Sequence, residues 1–136
     1  MALSVGDRLG HYEITALLGE GGMGRVYRAT DLLLKRSVAL KVHASASEGH
    51  AEALWIEARL AAKIAHPGIV PIHEVGFTAG GQPYYTMDLV EGTSLRAILQ
   101  EGPLPPIRAL SVARAVAEAI GVAHARGIVH CDLKPG

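Results

Sequence analysis

The stretch LGEGGMGRVYRATD, residues 18–31, places three glycines in the spacing G-x-G-x-x-G directly before an alternating segment. Val26 and Tyr27 open that segment, and its period of two predicts a strand. A dinucleotide-binding loop needs a helix at this point, and a Walker loop needs Lys and Ser or Thr directly after its last glycine. The stretch therefore predicts either a plain glycine-rich hairpin turn or a strand–turn–strand flap whose bare backbone covers phosphates.

Further strands and one helix surround this loop. Five segments carry β-branched or aromatic residues in a strand-like pattern: YEITALLG (12–19), RVYRATD (25–31), RSVALKV (36–42), VPIHEVGF (70–77) and PYYTMDLV (83–90). The last two flank the turn signal TAGGQ, which predicts a hairpin. Residues 51–65 are mostly helix formers, with Ile56, Leu60 and Ile64 on one apolar stripe, and they predict a helix. The segment HPG at 66–68 predicts its end. We predict an α+β fold with a five-stranded antiparallel sheet and one helix.

A helical region follows the last predicted strand. The small residues GTS at 92–94 mark the join, and LRAILQ at 95–100 predicts a short helix. Two adjacent prolines at 105–106 open a long helix that Gly127 ends. One apolar stripe runs along this helix: Leu110, Ala113, Ala117 and Ile120. We expect the stripe to require a further apolar surface to pack against, and residues 1–136 alone to self-associate.

Composition excludes several classes of function. The 136 residues include 13 basic and 13 acidic side chains, so there is no electrostatic footprint for nucleic acid. One cysteine excludes an internal disulfide framework. No signal peptide and no apolar run of membrane-spanning length is present, which predicts a cytoplasmic location. The seven histidines lack the spacing of a zinc helix, and we predict no metal site from them.

Two charged residues lie in apolar surroundings. Strand alternation puts Val38 and Leu40 on one face of SVALKV and Ala39 and Lys41 on the other, so Lys41 needs an anionic partner unless it reaches solvent from a strand end. Glu57 shares a helix face with apolar residues, and no cation lies three or four positions away from it. Lys41 and Glu57 are therefore predicted partners, with a solvated Glu57 as the alternative.

The segment HCDLKP, residues 130–135, completes a series of motifs. The glycine loop, VALK, the unpaired helix acid and HCDLKP follow one another in the order and at about the separations found in protein kinases. Over residues 10–136 the chain resembles the eukaryotic-like serine/threonine kinases of bacteria, and GEGGMGRVYRA is especially similar to their loop. The alternative for HCDLKP alone is a polar turn after a capped helix.

The resemblance implies a complete kinase N-lobe with its helix C and the beginning of a helical C-lobe. Domain bounds are then an N-terminal extension at 1–10, the N-lobe at 11–91 and the truncated start of the C-lobe at 92–136. Lys41 would hold the α- and β-phosphates and pair with Glu57, Asp132 would accept the substrate hydroxyl proton, and Lys134 would steady the transferred group. The implied ATP contacts are Leu18, Gly19, Glu20, Gly21, Gly22, Met23, Gly24, Val26, Ala39, Lys41, Met87, Asp88, Val90 and Ser94.

Two features depart from the family pattern. Cys131 stands where the family usually has an arginine, which puts switching by activation-loop phosphorylation in doubt. A small, partly buried filler is the expected role of Cys131, with a redox-sensitive thiol as the alternative. The chain also ends before the asparagine and the Asp-Phe-Gly that bind Mg²⁺ in the family.

The implied function is ATP-dependent phosphorylation of protein serine or threonine by an incomplete kinase domain, and we expect residues 1–136 alone to be inactive. A noncatalytic module that binds nucleotide or a partner kinase, and a nonfunctional truncated product, remain alternatives.

Overall fold

The computed structural model describes residues 3–22, 24–44, 56, 58–59, 61–131 and 133–135. Two compact units divide the chain, the first made of Met1–Lys63 with Pro71–Val90 and the second of Ile64–Val70 with Glu91–Gly136. Their predicted assignment to lobes bounded at residues 91 and 92 stays a prediction.

The first unit contains an antiparallel sheet with the strand order β1-β2-β3-β4-β6-β5. Its strands are β1 (Arg8–Leu9), β2 (Tyr12–Gly21), β3 (Gly24–Asp31), β4 (Arg36–His43), β5 (Ile72–Phe77) and β6 (Pro83–Asp88). All five predicted strands are confirmed. The sheet has one more strand than predicted, because the two-residue β1 pairs with the start of β2 around the turn at Gly10.

The core of the first unit lies on one face of this sheet. Alternation along β3 and β4 sends every second side chain to that face, as the spacing of buried residues shows. The cluster comprises Leu9, Tyr12, Ile14, Tyr27, Ala29, Val38, Leu40, Val42 and Tyr84. The predicted division of β4 is confirmed, since Val38 and Leu40 belong to the cluster and Ala39 and Lys41 do not.

A hydrogen bond joins strands that are distant in the sheet order. The hydroxyl of Tyr12 on β2 donates to Glu74 Oε2 on β5 at 2.8 Å, and the Thr86 hydroxyl donates to the Tyr12 oxygen at 3.4 Å. The sheet must therefore curl for its two ends to meet. Burial, with a further contribution from Glu74, raises the pKa of Tyr12 to about 12.

The hairpin tips have the expected turn chemistry. Between β3 and β4 the buried Asp31 carboxylate accepts hydrogen bonds from the backbone N–H groups of Leu33 and Leu34, at 3.0 and 2.9 Å, and these bonds lower its pKa. Between β5 and β6 the Thr78 hydroxyl accepts from the N–H of Gln82, and Gly81 adopts a positive φ of 76°. TAGGQ is thus confirmed as a turn.

The helix predicted at residues 51–65 is described only at residues 56, 58–59 and 61–65, and the rest of it lies outside the described residues. Four described residues there are helical, and they are Ile56, Ala58, Arg59 and Ala61. The helix ends at Ala61, before the predicted HPG segment, and the chain then forms a turn in which the N–H of Ile69 donates to the carbonyl of His66. Pro67 disfavours helical backbone at His66, so the helix could not continue through the HPG segment, but it does not account for the end at Ala61.

The second unit contains two helices, α1 (Leu95–Gln100) and α2 (Pro106–His124). α1 has the predicted bounds. Beyond α2, Ile128 N–H donates to Ala123 O and Gly127 N–H to His124 O, which together form a Schellman motif with Gly127 at a φ of +75°. Gly127 is therefore the predicted stop, although the regular helix ends three residues before it.

Candidate active site

The glycine loop is the tip of the β2–β3 hairpin. Gly21 pairs with Gly24 at the end of the hairpin, and Gly22 follows Gly21 in a turn. A Cβ atom built on Gly19, Gly21 or Gly22 would meet nothing within 4 Å. The backbone at the tip is consequently bare and borders open space, which is the condition for peptide N–H groups to approach a phosphate. The hairpin followed by strand β3 excludes the dinucleotide-binding alternative.

Gly24 has a different reason for being glycine. Its φ is +131°, and a Cβ atom would lie 2.1 Å from the carbonyl oxygen of Val42 and 2.8 Å from the Cα of His43. No side chain fits this contact with the end of β4. Sequence reasoning grouped Gly24 with the other loop glycines, because the pattern G-x-G-x-x-G does not reveal which strand lies beside each position.

Cross-strand register places several predicted site residues on one sheet face. Val26 of β3 pairs with Lys41 of β4, and Ala39 of β4 pairs with Met87 of β6. Residues directly opposite one another on antiparallel strands project to the same side. The face opposite the core therefore brings together Val26, Ala39, Lys41 and Met87. Tyr85, which the sequence reasoning did not select, pairs with Lys41 on this face.

The surroundings of Lys41 are aromatic on one side. Its Nζ atom lies 6.0 Å from the centroid of the Tyr85 ring, and the His43 ring centroid lies 5.5 Å from the same ring. Burial, and secondarily the charge of Lys41, lowers the pKa of His43. Within the described part of the chain, His43 Nε2 is buried without a hydrogen-bond partner. The predicted partner Glu57 lies outside the described residues, as does Met23.

The end of β6 fixes which backbone groups are available. The N–H of Asp88 donates to the carbonyl oxygen of Pro71 at 3.1 Å, so only the carbonyl of Asp88 can serve a ligand. The Asp88 carboxylate is 2.8 Å from Nε2 of His73 on the neighbouring strand. Val90 follows with an exposed side chain. The loop residues Leu18 and Glu20 are likewise exposed, and Glu20 pairs with Arg25 across the hairpin at 2.5 Å.

The second unit holds the remaining predicted residues. Ser94 is the N-cap of α1, where its Oγ accepts from the N–H of Ala97 at 3.2 Å. Lys134 is exposed, and the adjacent Pro135 carbonyl accepts from the N–H of Arg96 at 3.0 Å. Asp132 lies outside the described residues.

Cys131 does not have the expected surroundings. Its side chain is exposed and its φ is +62°, so the filler role is wrong. A left-handed residue in a turn projects from the chain instead of packing into it, and the sequence contains no glycine or asparagine there to predict such a turn.

An apolar groove runs along α2 within the second unit. Its volume is about 610 Å³. The groove is lined by Leu95, Leu99, Leu104, Ala109, Val112, Ala113, Val116, Ala117, Ile120, Leu133, Lys134 and Pro135. The predicted stripe of α2 contributes Ala113, Ala117 and Ile120, while Leu110 is 70% exposed beside it. The unit thus leaves the stripe largely uncovered.

Among the described residues there is neither a metal-binding cluster nor a membrane-spanning helix. No group of three or more His, Cys, Asp or Glu side chains among them is arranged to hold a metal ion. No helix in the same part of the chain combines the length and the apolarity needed to cross a bilayer.

Known proteins resemble this chain in sequence and structure. Residues 12–136 match the family model described as the protein kinase domain. Serine/threonine-protein kinase PknD of Mycobacterium tuberculosis is 43% identical over 135 residues, which cover 96% of this chain and 20% of that protein. The DNA damage-responsive serine/threonine-protein kinase RqkA of Deinococcus radiodurans is 43% identical over 141 residues, covering 100% of this chain and 21% of RqkA.

A solved structure supports the fold. The kinase domain of PknI from Mycobacterium tuberculosis superposes with a TM-score of 0.87 at 31% identity, covering 98% of this chain and 55% of that one. The chain therefore spans about a fifth of the curated relatives it matches and somewhat more than half of the solved kinase domain. The predicted fold class and the predicted incomplete kinase domain are confirmed.

Proposed function

This chain belongs to the protein kinase domain family, and on that premise we propose that it is the nucleotide-binding part of a serine/threonine protein kinase. The observation that carries the proposal is the sheet face that combines Val26, Ala39, Lys41 and Met87 beside a hairpin with a bare tip. The apolar residues of this face can pack against the flat base of a nucleotide, and Lys41, a cation, can contact its phosphates.

The proposed ligand is ATP. Val26 and Ala39 would pack on adenine with Met87 behind it, and the Asp88 carbonyl and the Val90 N–H would bond its polar edge. Lys41 would neutralise the α- and β-phosphates while the N–H groups of the glycine tip approach them. Ser94 is proposed to reach the ribose, because an N-cap oxygen that accepts one hydrogen bond still has its own proton to donate. Leu18 and Glu20 complete the hairpin side of the site.

Phosphoryl transfer is proposed for the kinase to which this sequence corresponds. Asp132 would accept the proton of a protein serine or threonine hydroxyl, and Lys134 would hold the transferred group. Mg²⁺ would supply charge neutralisation. Within the part of the chain that the structure describes, no cluster of carboxylates and histidines fits this ion. We accordingly expect residues 1–136 alone to bind nucleotide without transferring its phosphate. A cytoplasmic location and a role in signalling are part of the same proposal.

The test is the affinity of the purified chain for ATP, measured by titration calorimetry. Replacing Lys41 by Met retains the stem and removes the charge, and a lost charge-assisted contact should weaken ATP binding about tenfold. Lys35→Met, in the exposed β3–β4 turn, is the matched control and should leave the affinity unchanged. Equal affinities for all three proteins would contradict the proposal. Phosphate incorporation into a basic protein that disappears in Asp132→Asn would contradict the expected inactivity of residues 1–136.

A noncatalytic partner-binding module is the second candidate function. The apolar groove of α2 favours it, because a contiguous exposed apolar surface commonly marks an interaction site. Self-association or binding of another kinase chain would cover the groove. Sedimentation velocity over a range of concentrations tests this: we expect oligomers that Ala113→Glu, a substitution in the groove, converts to monomer. A monomer at all concentrations would contradict it.

A further inference from the structure

Three side chains form a row on the sheet face opposite the core. Lys41 and His43 are two positions apart on β4, so both project to this face, and Tyr85 of β6 pairs directly with Lys41. The Tyr85 ring lies 6.0 Å from Lys41 Nζ and 5.5 Å from the His43 ring, which is inclined to it by 43°. One ring thus contacts the site lysine and a second, buried ring.

The face of an aromatic ring attracts a cation through its quadrupole, out to about 6 Å from the centroid. Tyr85 is half-buried, so the contact is partly withdrawn from water and gains strength from that. His43 is buried and packs against the same ring, which restricts the movement of Tyr85. A lysine stem has four rotatable bonds, and a fixed ring beside it limits the positions that its ammonium group samples.

The neighbouring tyrosine provides a contrast on the same strand. Tyr84 projects to the other side of the sheet, where it is buried in the core cluster. Its ring is 2.8 Å from the position that a Cβ atom on Gly76 would take, so its role is packing against β5. The two adjacent tyrosines therefore have different roles: Tyr84 packs in the core, and Tyr85 contacts Lys41 at the site.

We infer that Tyr85 is a positioning residue for Lys41: its ring, packed against His43, holds the charged ammonium group on the sheet face opposite the core. The consequence for ATP rests on the proposed function, whereas the contact between Tyr85 and Lys41 does not. The contact with Lys41 requires the aromatic ring of Tyr85 but not its hydroxyl group. Phenylalanine should therefore serve in place of tyrosine at this position.

The experiment measures the acylation rate of Lys41 in the complete 136-residue chain without nucleotide. Peptide mass spectrometry after brief exposure to an amine-directed reagent gives the rate for each lysine. A cation held by a ring stays protonated and reacts slowly, so Tyr85→Leu should accelerate acylation of Lys41 about two- to fivefold. Tyr85→Phe should leave the rate unchanged, as should Tyr84→Phe. Lys35 in the same sample is the internal standard.

A fluorinated series distinguishes the quadrupole from the shape of the side chain. Phenylalanine carrying one, two or three ring fluorines at position 85 retains the volume while the ring face becomes progressively less negative. The acylation rate should rise with each fluorine. A constant rate across the series would overturn the inference, even if Tyr85→Leu reacts faster through a loosened fold.

Ligand affinity separates this inference from the function it would serve. Tyr85→Leu should weaken ATP binding about two- to fivefold and leave adenosine binding unchanged, because only ATP has phosphates for Lys41 to contact. An equal loss for both ligands would mean that Tyr85 supports the fold alone, and would overturn the inference. An acylation rate that responds to fluorination, with ATP affinity unchanged even in Lys41→Met, would support the contact and refute the phosphate role of Lys41.

Discussion

The sheet unit and the helical unit differ in how much of their apolar surface they cover. In the sheet unit the side chains of Ile14, Val38 and Leu40 are fully buried, and the contact from Tyr12 to Glu74 joins strands near both ends of the sheet. In the helical unit α2 buries the small residues Ala119 and Ala123 and turns larger ones outward. A curled antiparallel sheet can enclose a core on its concave face, whereas a single long helix can only bury its stripe against another element. Stability should therefore be concentrated in the sheet.

The largest contrast between the units should come from truncating one leucine in each. Leu40 is 0% exposed, so Leu40→Ala should lower the free energy of unfolding by about 2–5 kcal/mol through lost burial and a cavity. Leu110, on α2, is 70% exposed, and Leu110→Ala should change it by less than about 0.5 kcal/mol. Urea unfolding followed by circular dichroism measures both. Similar losses would show that the helical unit is as tightly packed as the sheet.

A somewhat smaller effect is expected from the glycines of the hairpin. Gly24→Ala should destabilise the sheet by about 2–4 kcal/mol, since the new Cβ would overlap the Val42 carbonyl and the φ of +131° disfavours a side chain. Gly21→Ala is the control in the same motif, because its Cβ would enter open space. Urea unfolding followed by circular dichroism compares the free energies of unfolding of the two variants. Equal destabilisation would place the strain in the turn, away from the contact with β4.

The closure of the sheet can be measured with a double-mutant cycle. Tyr12→Phe, Glu74→Gln and the double variant should give a coupling energy of about 1.5–3 kcal/mol, the range for a hydrogen bond to a charged group. Folding raises the pKa of Tyr12 from 10.0 to about 12. The stability that the neutral Tyr12 hydroxyl contributes is therefore fully present below pH 10 and is lost as the pH rises towards 12. Tyr12→Phe should therefore unfold with a weaker dependence on pH in this window. Independent, additive effects would mean that the ends of the sheet are not held by this bond.

The smallest expected effect concerns pH below neutrality. Folding lowers the pKa of His43 below its usual 6.5, so the unfolded chain takes up this proton more readily. Well above pH 6.5 the titration of His43 does not affect the free energy of unfolding. As the pH falls below 6.5, His43 lowers that free energy by at most about 1.4 kcal/mol per pH unit. His43→Leu should therefore lose less stability than the parent protein as the pH falls below about 6.5, as measured by urea unfolding at a series of pH values. A pH dependence that is the same in His43→Leu as in the parent protein would contradict this expectation.

The sequence predicted local pattern better than contact between distant segments. Period-two alternation was sufficient for the five strands and for the two faces of β4, and the small residues at 92–94 followed by LRAILQ were sufficient for α1. The position of Gly24 against β4 and the contact between Tyr12 and Glu74 depend on register and on the curl of the sheet. Neither leaves a periodic signal, and β1 is too short to form one.

Within the site, the sequence predicted residues with unusual chemistry and missed those with ordinary chemistry. The sequence singled out Lys41 as a charge in an apolar strand, and in the structure it pairs with Val26 across β3 and β4. Tyr85 is a common strand residue whose importance arises only from the residue opposite it. The predicted pairing of Lys41 with Glu57 and the role of Asp132 stay predictions, because Glu57 and Asp132 lie outside the described residues.

Cys131 makes this chain unusually convenient for spectroscopic labelling. It is the only cysteine of the sequence, its thiol is exposed, and it precedes Asp132 directly. A maleimide fluorophore or a nitroxide would attach at this one position without any prior removal of other thiols. Its emission or line shape would then report on the segment that carries Asp132 while nucleotide is titrated in, giving a direct optical or magnetic signal from that segment.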